Sequence, residues 1–257
     1  MKSISDELWI EIEKVLPERE SLVGRPEMCP RKAFDGIFFV LQTGIQWHNL
    51  PEKYGRPSTV HGKFMKWCRA GIFEKILVKA REYYRKRNSK NMWYAFDTII
   101  KKGPFAEFGG ANPTDRSKRG IKHMVLVDRR GAPLFVNVAP ANRHDSKLLA
   151  PVVKKLRKSK KVRIIAADSA FDVDHLRSIC ADKQIALLAA TNPRRNKNKR
   201  NYKPNNRWIV ERTLGWFSWY RGLKFTGLKN LFLIFLFSRL PLLFSSLRWE
   251  EFSYKLL

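Results

Sequence analysis

The sequence predicts an α/β chain, in which a mixed sheet with flanking helices is preceded by a small all-helical region. Three observations predict it. Apolar residues recur at helical spacing through the first 90 residues. At Asn91 the pattern changes to short apolar runs bounded by turn residues. Beyond residue 145 such runs alternate with helical segments, the pattern of a layered sheet.

Each element has a local cause. Ser3 and Asp6 give a start signal before Leu8, Ile12 and Val15, and Pro17 stops that helix. Gly24, Arg25 and Pro26 form a linker. A second helix carries Phe34, Ile37, Phe38 and Leu41 on one face and stops near Gly44. Trp47, Leu50 and Pro51 form a compact turn before Gly55 and Pro57. Ser58 or Thr59 is expected to cap a third helix bearing Val60, Phe64 and Trp67; Gly71 breaks it, and Ile72, Ile76, Leu77, Ala80 and Tyr84 mark a fourth. Short helices with tight turns and basic faces suit a helix-turn-helix-like DNA-binding unit; a plain helical scaffold explains the same pattern.

Strands follow at Met92–Ile100, Lys122–Val127 and Pro133–Val138, the last two joined by the turn DRRG into a hairpin. A helix is expected over Asp145–Leu156, a strand over Val162–Ala167, a helix over Asp174–Cys180, a strand over Gln184–Ala190 and a last helix over Asn206–Tyr220. A three-strand meander followed by alternating helices and strands is what an RNase H-like fold requires.

Composition narrows the partners. Of 257 residues, 51 are Lys or Arg and 23 are Asp or Glu, a net charge of +28 that exceeds what solubility needs. A polyanion relieves that self-repulsion, with nucleic acid the first candidate and an anionic membrane or a ribosomal context the alternatives. Cys29, Cys68 and Cys180 lack redox or metal spacing, which points to a reducing compartment. The N-terminal MKSISDELWIEIEK reads as an amphipathic helix rather than a signal peptide. The run Leu231–Phe237 is apolar, but Arg239 and Pro241 interrupt it far short of the roughly 20 residues a membrane span needs. The expectation is a cytoplasmic, nucleoid-associated protein with no membrane partner.

The strongest chemical signal is a trio of acids. Asp97 interrupts the apolar strand YAFDTII, where a charge is costly unless paired or metal-bound, and it shares a side with Ala95 and Ile99. Asp168 ends VRIIAAD, at the carboxyl end of a strand, where ligands gather in open α/β sheets. Glu211 lies in RWIVERTLGW, on a polar stripe with Arg207, Gly215 and Ser218 beside the packing stripe Val210, Thr213, Leu214 and Phe217. Converging carboxylates would repel one another unless divalent cations sat between them, and Mg²⁺ or Mn²⁺ takes such oxygen ligands. Two metals about 4 Å apart can drive phosphodiester chemistry. The residues alone equally allow separate local roles: a strand-edge pair for Asp97, a helix cap for Asp168, and a salt bridge from Glu211 to Arg207 or Arg212.

Basic residues supply candidate DNA contacts. Lys101 and Lys102 follow Asp97, while Arg116, Lys118, Arg119 and Lys122 line the approach to the second strand near Gly109, Gly110 and Gly120. The run RRNKNKRNYK contributes Arg194, Arg195, Lys197, Lys199, Arg200 and Lys203; Arg207 and Arg212 flank Glu211. Such residues grip phosphates with strong salt dependence, although a charge run also reads as a solvated loop. Trp208, Trp216 and Trp219 suit either base stacking or a core. Asp145 is expected to cap a helix, with His144 in support; a ligand set or a general base is the alternative for this adjacent pair. No Gly-rich nucleotide loop is found, so neither ATP hydrolysis nor a dinucleotide is indicated, and no serine sits in a nucleophile elbow.

Four stretches carry a family resemblance: Phe34–Leu77, Asn112–Leu149, ADSAFD at Ala167–Asp172, and RWIVERTLGWFSWYRGL at Arg207–Leu223. In this order they resemble the bacterial insertion-sequence transposases with an Asp-Asp-Glu triad, over roughly residues 5–223. The resemblance implies an RNase H-like catalytic domain over 91–223 and a helical, DNA-binding domain over 1–90; the apolar tail over 224–257 departs from the family, whose members usually end in a helix of mixed polarity. It implies Asp97, Asp168 and Glu211 as catalytic metal ligands for Mg²⁺ or Mn²⁺. It also implies cleavage of double-stranded DNA at element ends, joining of the 3′ hydroxyl to target DNA, and a homodimer on DNA. The chain has Pro204 and Ser218 where the family's third motif can carry tyrosine and lysine. A DNA-binding relic without catalysis and a metal-dependent nuclease without joining are the rival readings.

Overall fold

The computed structural model describes residues 6–17, 26–87, 92–103, 108–156, 163–190 and 208–219. Four helices come first: α1 (Asp6–Glu13), α2 (Pro30–Thr43), α3 (Pro57–Arg69) and α4 (Ile72–Arg87). Gly44 closes α2 at φ 67°, a left-handed position where glycine carries no Cβ penalty. The start of α3 differs from expectation. Arg56 is its N-cap, and Ser58 and Thr59 lie inside the first turn. Pro57 explains the shift, because its fixed φ and missing N–H suit the first helical position.

The sheet follows: β1 (Trp93–Lys102), β2 (Gly110–Ala111), β3 (Arg119–Asp128), β4 (Pro133–Pro140), β5 (Arg163–Ala167) and β6 (Ile185–Ala189). β3 pairs antiparallel with β1 on one edge, and with β2 and β4 on the other. β5 is parallel to β1, and β6 is parallel to β5. The order β4-β3-β1-β5-β6, a meander leading into parallel strands, is the expected RNase H-like arrangement.

The crossover helices are α5 (Leu149–Lys155) and α6 (Asp174–Asp182), and α7 (Trp208–Trp219) comes last. The helix expected from Asp145 is broken: a 3₁₀ turn spans Asp145–Lys147 and α5 restarts at Leu149. Pro151 accounts for the break, since it has no N–H and its ring crowds the carbonyl four residues earlier.

Strand alternation divides the core between two faces. Phe96, Met124, Leu126 and Ile165 pack with α5 and α6. Ala95, Val125, Val127 and Ala166 share one cluster with Ile209, Val210 and Leu214 of α7 and with the buried residues of the N-terminal helices. The helical region and this face of the sheet therefore share one core. Among the described residues, no helix is long and apolar enough to cross a membrane.

Candidate active site

The strand register brings two of the expected acids level. Ala95 pairs with Ala166 across the parallel β1–β5 ladder. Two residues further along each strand stand Asp97 and Asp168. Asp168 keeps an extended backbone, φ −76° and ψ 169°, so its side follows that of Ala166. Both positions belong to the face covered by α7, on strands about 4.8 Å apart. The opposite face ties the two together: Phe96, beside Asp97, meets Phe171, three residues past Asp168, edge to face with ring centroids 5.2 Å apart.

Both carboxylates also make local bonds. Asp97 Oδ1 accepts from the Thr98 amide at 2.8 Å. Asp168 Oδ1 accepts from the Ser169 amide at 2.6 Å and caps the 3₁₀ turn Ser169–Phe171. Glu211 is exposed on α7, whose Ile209, Val210, Thr213 and Leu214 are buried. The helix packs on β1 and β3. Among the described residues, no group of three or more His, Cys, Asp or Glu side chains stands ready to hold a metal. The structure therefore pairs Asp97 with Asp168 and leaves Glu211 on the neighbouring helix. The chemistry of the level pair, hard oxygen donors of like charge, fits Mg²⁺ or Mn²⁺.

The cations divide into exposed and buried groups. Lys102, Arg116, Lys118 and Arg119 are exposed around the β2–β3 connection. Arg116 and Ser117 adopt left-handed φ values of 48° and 58°. Asn112 Oδ1 accepts from the amide and hydroxyl of Thr114, which shapes this tip. Asp115 lies 4.0 Å from Lys102 and 3.9 Å from Lys118, at the outer limit of ion pairing.

Lys101 and Lys122, expected as DNA contacts, are instead buried at 9% and 5% exposure. Lys122 Nζ donates to Asp145 Oδ1 at 2.9 Å and to the Arg143 carbonyl at 2.9 Å. Thr98 Oγ1 donates to the same Asp145 oxygen at 3.0 Å. A buried ammonium needs such partners, which is why Lys122 turns inward. His144, not Asp145, is the N-cap of the 3₁₀ turn, its Nδ1 accepting from the Ser146 amide. His123, beside Lys101 on the α7 face, has its pKa pushed down to about 3 by burial and then by the Lys101 charge.

Arg212 also bonds within the chain. Its Nη2 donates to the Arg130 carbonyl at 3.0 Å, and its guanidinium lies 4.7 Å from the ring centroid of exposed Trp208. Buried Thr213 donates to the Gly131 carbonyl at 2.9 Å. Sequence reasoning missed Thr98; it placed Asp128 in the DRRG turn and Thr213 on the packing stripe of the last helix, without the hydrogen bonds that each makes. Arg194, Arg195, Lys197, Lys199, Arg200, Lys203 and Arg207, with the tail 224–257, lie outside the described residues.

Comparison with known proteins adds the following. Residues 4–77 match the family described as "Putative transposase of IS4/5 family". Residues 62–230, more than half of the chain, match "Transposase DDE domain". A Burkholderia cepacia protein described as "Putative transposase for insertion sequence element IS402" is 29% identical over 123 residues, 45% of this chain and 57% of that protein. The "Insertion element IS402 uncharacterized 16.2 kDa protein" of the same organism is 39% identical over 79 residues, 28% of this chain and 54% of that protein. The chain thus spans little more than half the length of either relative. A solved piggyBac transposase synaptic complex with hairpin DNA aligns at TM-score 0.39 and 14% identity, covering 77% of this chain and 52% of that one.

Proposed function

This chain belongs to the transposase DDE domain family, which it matches over residues 62–230, and on that premise we propose that it cleaves DNA at the ends of an insertion sequence and joins the freed 3′ hydroxyl to target DNA. The observation that carries this reading is the level placement of Asp97 and Asp168 on adjacent parallel strands. Two like charges side by side on a largely apolar face are a poor choice for stability and a good one for holding a divalent cation.

In this reading Asp97 and Asp168 hold the cation, and Glu211, on the helix packed over the same face, is the third ligand. Bound Mg²⁺ or Mn²⁺ supplies activation of the attacking oxygen and stabilisation of the leaving oxygen. The chemistry is two in-line phosphoryl transfers: water cleaves the phosphodiester at the element end, and the resulting 3′ hydroxyl attacks a target phosphodiester. No Ser or Tyr nucleophile is used. Lys102, Arg116, Lys118 and Arg119 neutralise backbone phosphates and fix the duplex on the protein. The cations of the 194–203 run and Arg207 would add further phosphate contacts. Joining two ends calls for a homodimer on DNA.

The test is a supercoiled plasmid carrying labelled copies of the inverted repeats that flank the coding sequence, incubated with Mg²⁺. Joined product supports the proposal. Nicks without joining indicate a nuclease, and a mobility shift without cleavage indicates a DNA-binding relic; either result overturns it.

A further inference from the structure

We infer that Arg212 and Thr213 clasp α7 to the β3–β4 turn, and that this clasp makes Arg212 a positioning residue for Glu211 rather than a phosphate contact. The inference rests on the reading of Glu211 as the third metal ligand.

The clasp starts in the turn. Asp128, 2% exposed, accepts through Oδ1 from the amides of Arg130 and Ala132, both at 2.9 Å. Its own amide donates to the Ala132 carbonyl, and the Gly131 amide donates to the Asp128 carbonyl. Gly131 sits at φ 85°, a left-handed value that suits glycine. This turn gives its Arg130 and Gly131 carbonyls to α7, where Arg212 and Thr213 donate to them. Thr213 Oγ1 is shared with the Ile209 carbonyl at 3.1 Å, and Trp208 stacks beneath the Arg212 guanidinium, so both side chains are held from two sides.

Helical geometry makes this consequential. Successive residues turn by about 100° around a helix. Ile209, Val210, Thr213 and Leu214 form one buried stripe, with Arg212 on one flank and Glu211 on the other. Fixing the Arg212 flank to the turn at the end of β3 fixes the rotation of α7. The flank bearing Glu211 is thereby turned away from the β3–β4 turn, over the face that carries Asp97 and Asp168. Apolar packing alone tolerates small rotations; two directed hydrogen bonds to fixed carbonyls do not.

The experiment measures Arg212→Gln, Thr213→Val, Thr213→Ser and Glu211→Gln in the full chain. The probe is a labelled duplex bearing the flanking inverted repeats. Three quantities are read: DNA affinity against salt, cleavage rate at saturating DNA, and thermal midpoint. The clasp predicts that Arg212→Gln and Thr213→Val lower the saturated cleavage rate about tenfold to a hundredfold. Affinity and salt slope stay unchanged, and Thr213→Ser, which keeps the hydroxyl, stays within about twofold of wild type. If Arg212→Gln lowers the salt slope by about one while the saturated rate holds, Arg212 is a phosphate contact and the clasp is refuted. Thr213→Ser falling as far as Thr213→Val, or a rate increase on loosening the clasp, refutes it as well. Glu211→Gln separates the two layers: full cleavage by that variant removes the underlying reading, whereas its inactivity beside unaffected clasp variants removes the clasp alone.

Discussion

The two faces of β1 solve the problem of a charge in a sheet in opposite ways. On the even-numbered face, Lys122 is buried and matched to Asp145 at 2.9 Å, with Thr98 completing the set. On the odd-numbered face, Asp97 stands level with another acid, Asp168. The first arrangement is complete within the protein and acts as structure. The second places like charge beside like charge, an arrangement that suits a divalent cation in the reading proposed above. Burial of charge thus does not by itself mark function; what matters is whether the neighbouring charge has the opposite sign or the same.

Variants on the two faces should therefore fail differently. The largest effect belongs to the odd face: Asp97→Asn or Asp168→Asn should cut cleavage and joining by at least about a thousandfold. Affinity for element-end DNA should remain within severalfold, as a gel-shift titration would read. Equal loss of binding would blur the contrast between faces.

Next is the packing that joins the two acidic strands. Phe171→Ala removes the ring that meets Phe96 edge to face and should cost about 3–4 kcal/mol in urea unfolding. On the even face, Lys122→Met strands Asp145 without its cation. Because Asp145 is about a third exposed, the expected cost is reduced to about 2–3 kcal/mol. Cleavage at saturating DNA by the folded fraction should be retained; a thousandfold loss there would erase the distinction between faces.

The sign of the pH response is fixed. The His123 pKa lies at about 3 in the folded chain, against an ordinary 6.5. As pH falls below 6.5, the unfolded chain gains a proton that the folded chain refuses until about pH 3. Stability therefore declines as pH drops through that window and is fully present above it. His123→Gln should flatten the decline, measured by urea midpoints at several pH values. Smallest of all, Lys118→Ala should lower the salt slope of DNA binding by about one and leave the saturated rate alone.

Much of the fold was legible because its causes are local. Apolar runs ending in turn residues gave β1, β3, β4, β5 and β6, and Gly44 and Gly71 marked helix ends. β2, two residues long, offers no periodic signal. The break before α5 was legible in principle from Pro151 but was outweighed by the apolar stripe Leu148, Leu149 and Val152. For the site, the sequence singled out Asp97 and Asp168 as an acid in an apolar strand and an acid at a strand end. Their equal height depends on the β1–β5 register, which no local pattern encodes. The roles of Lys122 and Arg212 were likewise hidden. Their partners lie 23 and 82 residues away, and a cation looks the same in sequence whether it meets a phosphate, a half-buried carboxylate or a backbone carbonyl.

A metal-specificity switch at position 97 tests the central claim most directly. Asp97→Cys replaces a hard oxygen ligand with a softer sulfur that tolerates Mn²⁺ better than Mg²⁺. The account predicts that this variant binds element-end DNA normally, fails to cleave in Mg²⁺, and recovers cleavage in Mn²⁺. Wild-type cleavage by the variant in Mg²⁺, or inactivity in both metals with DNA binding intact, would contradict it.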